Sequence, residues 1–132
     1  MSGTHPLVRV ETFLLIAVGG FAGSNLRYFI ELTVPSTLGA TFVVNVLGSF
    51  ALAVILYEAS AIGALSDRSK FVFGTGFLSS FTTFSTFVFD VISVDPLVGL
   101  AYVLASYASG FAAVLLGRVF VHRAVVPRVE VA

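Results

Sequence analysis

The sequence has no cysteine. Disulfides, thiolate catalysis and cysteine metal sites are excluded, and the redox compartment stays open. Charge is nearly as scarce. Seven basic and seven acidic residues in 132 make 11%, where soluble domains carry roughly 25%. The two signs cancel to a formal net charge of +0, so no basic field exists to hold nucleic acid. What is there is apolar: 58% of the residues, with 14% aromatic. A disordered chain would be charged and poor in aromatics. A soluble globule could not cover its surface with so few charges. An integral membrane protein remains. A spanning helix needs about 20 mostly apolar residues, and this composition suffices for about four. The length allows one domain over residues 1–132. Met1–Pro6 lacks the basic start and small-residue cleavage site of a signal peptide, so the first apolar stretch is read as a retained helix.

The few charges mark the span boundaries. None occurs between Glu11 and Arg27, Glu31 and Glu58, Lys70 and Asp90, or Asp95 and Arg118. Helices are expected near 10–32, 39–60, 71–93 and 97–120, followed by an exposed tail over 121–132. Barrel strands would alternate over about ten residues, whereas these runs are apolar on all sides. Pro35, Ser36 and Gly39 punctuate the first connection, Ser66–Ser69 the second, and Asp95–Pro96 the third; Pro suits the first turn of a helix.

Four spans put both termini on one side. Arg9, Arg68, Lys70, Arg118, Arg123 and Arg128 lie there, against Arg27 alone on the other. The positive-inside rule places the termini and the middle loop in the cytoplasm.

Polar side chains in a span are costly, so they carry information. In the first span Gly19 and Gly23 form a small-xxx-small face, as do Gly20 and Ser24, and such faces let helix backbones approach closely. Arg27 lies one turn further along. It reads either as an anchor reaching the water interface or as fixed positive charge at a mouth that attracts anions. In the second span Thr41, Asn45 and Ser49 recur every four residues, on a face with Gly48. Asn45 reads either as a bond to a neighbouring helix or as a donor to an anion. The third span holds seven of the 14 phenylalanines between Phe71 and Phe89. Phe77, Phe81 and Phe84 read as one helical stripe; Ser79, Thr82, Thr83 and Thr86 read as another. So many hydroxyls suit a helix that breaks in mid-membrane, where freed backbone groups need partners, and broken helices commonly hold ions. In the fourth span Tyr102, Ser106 and Gly110 recur at steps of four, with Ser109, Ala113 and Gly117 on a neighbouring face.

No Asp, Glu, Lys or His is expected deep within a span, although proton-driven carriers generally need one there. His5 and His122 fall in tails and make no metal site. No serine has a histidine or carboxylate partner in the membrane, so an enzyme is disfavoured.

Gly19-Gly20-x-x-Gly23 followed by Arg27-Tyr28 resembles the first-helix motif of the Fluc (CrcB) fluoride channel family. Gly39-x-Thr41-Phe42-x-Val44-Asn45-x-x-Gly48-Ser49-Phe50 resembles its second-helix motif, and Thr82-Thr83-Phe84-Ser85-Thr86-Phe87 its third. The resemblance covers about residues 15–120. It implies an all-α membrane protein of four transmembrane helices with a break in the third, assembling as an antiparallel dimer with two fluoride pores. It implies that Asn45, Phe84 and Phe87 coordinate fluoride, and that Thr41, Ser106 and Tyr102 line the path. It also implies a structural sodium (Na+) at the dimer centre, held by the backbone carbonyls of Ser79 and Thr82 from each subunit. The family usually has Gly-Gly where this chain has Ser79-Ser80, and Gly permits backbone angles that Ser resists. Gly110 likewise stands where a hydroxyl would continue the fourth-helix track.

The chemistry fits such a site. Asn, Ser and Thr are donors, and an aromatic ring has a positive edge. Edge-on rings attract an anion without the grip of a full charge. The expected function is passive exit of cytoplasmic fluoride through the cell membrane. An antiparallel homodimer needs one sequence to insert both ways, hence balanced Lys and Arg. Six against one instead suggests a chain that inserts one way and pairs with a homologous chain of opposite bias. Two further readings stand: a small four-helix proton-coupled exporter, for which Glu11 is the nearest carboxylate, and a non-transporting bundle.

Overall fold

A computed structural model describes residues 6–125. His5 and the tail segment with Pro127 and Arg128 lie outside them. All secondary structure among the described residues is helical: α1 (Pro6–Thr33), α2 (Thr37–Ala61), α3 (residues 67–81), α4 (Phe84–Ile92) and α5 (Pro96–Val125). With α3 and α4 taken as one interrupted span, four units are long and apolar enough to cross a membrane. The last helix runs past the expected end at 120, in a wider π-helical turn over Val121–Val125 with Val121 fully enclosed at 0% exposure.

Local chemistry sets the helix ends. Ser36 Oγ accepts from Gly39 N–H at 3.1 Å and Ser66 Oγ from Ser69 N–H at 3.2 Å, each satisfying a donor that the first helical turn leaves open. Asp95 Oδ1 accepts from Leu97 N–H at 2.9 Å, with Pro96 at the first helical position. After α2, Gly63 turns the chain at φ 67°, a conformation that side chains resist. Glu58 closes that loop. Its Oε1 accepts from the N–H groups of Ala64 at 2.8 Å and Leu65 at 3.0 Å.

Lipid tails are as apolar as leucine, so close packing must hold membrane helices together. The glycines supply it. A Cβ on Gly19 or Gly23 would run into the carbonyl oxygens of Val72 and Phe77, and one on Gly76 would stand 2.6 Å from the Ile16 carbonyl oxygen. Thus α1 lies backbone-to-backbone on the stretch Phe71–Leu78, which is wound as a π-helix. Likewise α5 meets α2 where a Cβ on Gly117 would stand 2.8 Å from the Ala53 methyl. A small apolar cluster of Val44, Leu78 and Phe81 sits where α2 meets α3. Large side chains such as Phe13 and Phe21 point outward.

Candidate functional site: a cleft beside a broken helix

The third span stops being helical at Thr82 (φ −81°, ψ 160°) and Thr83 (φ −148°, ψ 118°). The last helical bond of α3 runs from Thr82 N–H to the Leu78 carbonyl at 3.0 Å. Asn45 then serves both backbone groups of the buried Thr83. Its Oδ1 accepts from Thr83 N–H at 2.8 Å, and its Nδ2 donates to the Thr83 carbonyl at 3.0 Å. Thr83 caps α4, accepting from Thr86 N–H at 3.2 Å and donating to Thr86 Oγ1 at 3.0 Å. In a lipid environment those peptide groups would otherwise go unsatisfied.

The break leaves four carbonyls, those of residues 79–82, without their helical donors. In an unbroken helix Ser79 C=O would accept from Thr83 N–H, and Thr82 C=O from Thr86 N–H. The first of these donors goes to Asn45 and the second to Thr83 Oγ1. The Ser79 and Thr82 oxygens are hard and uncharged, the donor chemistry that suits a small cation. Ser79 itself is unstrained, at φ −65° and ψ −28°. Its hydroxyl bonds back to the Thr75 carbonyl, so serine in place of glycine costs no unusual backbone angle.

Beside the break lies a cleft of about 340 Å³ lined by Asn45, Ser49, Phe84, Phe87, Ser106 and Gly110, with Tyr107 among its aromatic walls. The Phe84 and Phe87 rings stand 6.0 Å apart, and Tyr107 meets Phe87 edge to face at 6.2 Å. Ser106 Oγ is buried with no hydrogen-bond partner among the described residues. Asn45 spends one of its two amide hydrogens on Thr83, which leaves one for the cleft. A second cleft, about 370 Å³, opens on the other side of Phe84 and includes Gly48, Gly74, Ser79 and Thr82. Phe84 borders both and is 70% exposed.

Four expected site residues thus meet in one cleft: Asn45, Phe84, Phe87 and Ser106. Tyr102 and Thr41 lie behind it. The Tyr102 ring packs 5.4 Å from Phe87, and its hydroxyl donates to the Leu38 carbonyl at 3.1 Å. Thr41 and Ser106 are its hydroxyl neighbours and Asp90 its neighbouring carboxylate. Arg27 is elsewhere. It lies 3.6 Å from Glu31 and lines a separate cleft with Pro35 and Thr86. Ser79 and Thr82 border the second cleft.

The break also corrects two expected stripes. Phe77 and Phe81 stack at 5.7 Å, but the extended residues 82–83 carry Phe84 out of their row and to Phe87. The hydroxyls likewise do not form one face, since Ser79 bonds to its own helix while Thr83 caps the next. Three residues stand out that were not expected in the site. Thr83 is one, and a serine or threonine three residues before another at a span break is the signal. Tyr107, a polar-tipped ring within a span, is the second. The third is Asp90. As a boundary marker it was expected at the rim, yet it is 3% exposed, with Oδ2 unpartnered among the described residues.

The family profile described as "CrcB-like protein, Camphor Resistance (CrcB)" matches residues 14–118. A relative from Haloarcula marismortui, named fluoride-specific ion channel FluC 1, is 54% identical over 118 residues, covering 89% of this chain and 91% of that one. A protein of the same name from Natronomonas pharaonis is 43% identical over 79% of this chain and 88% of its own. The fluoride-specific ion channel FluC of Thermotoga maritima is 37% identical over 81% and 91%. Four spanning helices and these matches make this a multi-pass membrane protein, and the chain belongs to the CrcB family.

Proposed function

We propose that this chain is one subunit of a fluoride-selective channel through which cytoplasmic fluoride leaves the cell passively, limiting its toxicity. The observation that carries this reading is the cleft where Asn45, Ser106, Phe84 and Phe87 converge beside the broken span. The relatives' names supply the ion. Fluoride is small and strongly hydrated, so a pore must replace its water yet release it. The free Asn45 N–H and the unpartnered Ser106 hydroxyl donate to the ion. The rims of Phe84 and Phe87 offer weak positive potential. No Lys or Arg lines this cleft, so nothing there holds an anion with a full charge. Tyr102 and Thr41 continue the polar path behind Phe87. Arg27, in its own cleft, enriches anions at the far mouth.

The carbonyls of Ser79 and Thr82 are the ligands we assign to a structural sodium. Bound there, sodium would supply positive charge beside the break that Asn45 and Thr83 hold. Ser79 is exposed in the single chain, beside Gly74 in the second cleft. This open face suits an antiparallel second subunit that brings its own pair of carbonyls. The bias of basic residues supports cytoplasmic termini in the cell membrane, and a partner that is a homologous chain of opposite bias.

Proteoliposomes test the function. Fluoride efflux should follow the membrane voltage and ignore an imposed pH gradient. Efflux that requires the pH gradient would overturn the channel. Cysteine tags near Pro35 and Ser66 test the orientation, and an even mixture of the two insertions in cells making only this chain would refute the paired-chain reading.

A further inference from the structure

We infer that Asn45 is the positioning residue of the cation site, and that one amide side chain serves both ions. The inference rests on assigning Ser79 and Thr82 as sodium ligands. Asn45 lines both clefts, the one with Ser106 and the one with Ser79 and Thr82. Its Oδ1 holds the N–H of Thr83, the donor that would otherwise return to the Ser79 carbonyl. With that donor engaged, the Ser79 oxygen is kept for a cation. Thr83 does the same for the second ligand, since its hydroxyl holds the Thr86 N–H that would return to the Thr82 carbonyl. Two side chains thus hold two carbonyls open by capturing their helical donors.

The two ends of the Asn45 amide do different work. The oxygen secures the cation ligand by way of Thr83. The nitrogen bonds the Thr83 carbonyl at 3.0 Å and turns its second hydrogen to the anion cleft. Gly48, one turn further along α2, lets this contact close, because a Cβ there would strike the Thr82 methyl. The sodium ligands and the fluoride donor are therefore linked through a single residue, Thr83, and replacing each end of the Asn45 amide separates their roles.

The test is sodium binding to the purified, assembled protein in detergent. It is read as the shift in thermal unfolding on titrating sodium chloride, with N-methylglucamine chloride holding the ionic strength. Outer groups that orient metal ligands typically change affinity about 10–100-fold when removed. Asn45→Leu frees Thr83 N–H to close on the Ser79 carbonyl, and sodium affinity should fall by that order. Asn45→Asp keeps the acceptor for Thr83 N–H but sets a carboxylate oxygen against the Thr83 carbonyl and has no N–H for the anion, so it should bind sodium more tightly than Asn45→Leu while losing fluoride flux. Should Asn45→Leu fail to fold, Thr83→Ala carries the same expectation at Thr82, with Thr83→Ser restoring affinity. Parent-like sodium affinity in Asn45→Leu or Thr83→Ala, or sodium binding by Asn45→Asp no tighter than by Asn45→Leu, overturns the inference. A parent with no sodium-dependent shift overturns instead the cation assignment on which it rests.

Discussion

Gly23→Ala should destabilise the protein, whereas Gly110→Ala should not. Both glycines sit within spanning helices, but their surroundings differ. A Cβ on Gly23 would collide with the Phe77 carbonyl oxygen and stand 3.0 Å from its carbonyl carbon and 3.2 Å from its Cα. All three atoms are backbone, so no side chain can rotate aside. Overpacking of this kind costs about 1–3 kcal/mol, and a rigid backbone contact belongs at the upper end. Alanine regains about 1 kcal/mol of helix propensity, which leaves a net loss of about 2 kcal/mol. A Cβ on Gly110 would meet only Ser49 Oγ among the described residues, at 3.8 Å, an ordinary contact, so the propensity gain of about 1 kcal/mol remains. Chemical unfolding in detergent micelles, with the two variants beside the parent, reads the difference. Equal stability of Gly23→Ala and Gly110→Ala would refute the backbone-to-backbone contact of α1 with α3.

Ser106→Ala should separate stability from transport. The hydroxyl it removes is buried beside Tyr102 and makes no hydrogen bond of normal geometry among the described residues, so the unfolding midpoint should not fall. Fluoride flux should fall about tenfold, the equivalent of one hydrogen bond of about 1.4 kcal/mol lost from the path. Glu58→Ala removes an acceptor of two loop N–H bonds. It should cost about 2–3 kcal/mol and speed hydrogen exchange at Ala64 and Leu65, measured by mass spectrometry. Glu11→Gln breaks the ion pair with Arg68, 2.9 Å apart and largely exposed; the same unfolding assay should register less than about 1 kcal/mol.

The spans were legible because the boundary charges frame long apolar runs. Ser36, Ser66 and Asp95–Pro96 marked the turns for the same local reasons that the structure displays. The glycine face of α1 was legible as a packing face, but not its target. Spacing gives a helix face and says nothing of which helix lies opposite. The break was foreseen from Thr82–Thr86, yet its consequences were not. Helical periodicity assumes a continuous axis, so the Phe77–Phe81–Phe84 stripe failed where two extended residues re-aim the chain. Asn45 had two readings, a bond to a neighbouring helix or a donor into a cleft. The structure shows the first and leaves an amide hydrogen for the second. The burial of Asp90 was not foreseen, because a boundary charge marks the end of a span and not what packs against it. Burial there depends on how α4 and α5 close over it, which a single sequence does not encode locally.

The central claim is that ring edges and uncharged donors replace the hydration shell of fluoride. Fluoride flux per assembled channel in Phe84→Ile and Phe87→Ile tests it most directly, because isoleucine stays bulky and apolar but has no positive ring edge. The account predicts that flux collapses in both variants while assembly and helical content match the parent. Parent-like flux through either isoleucine variant would contradict it.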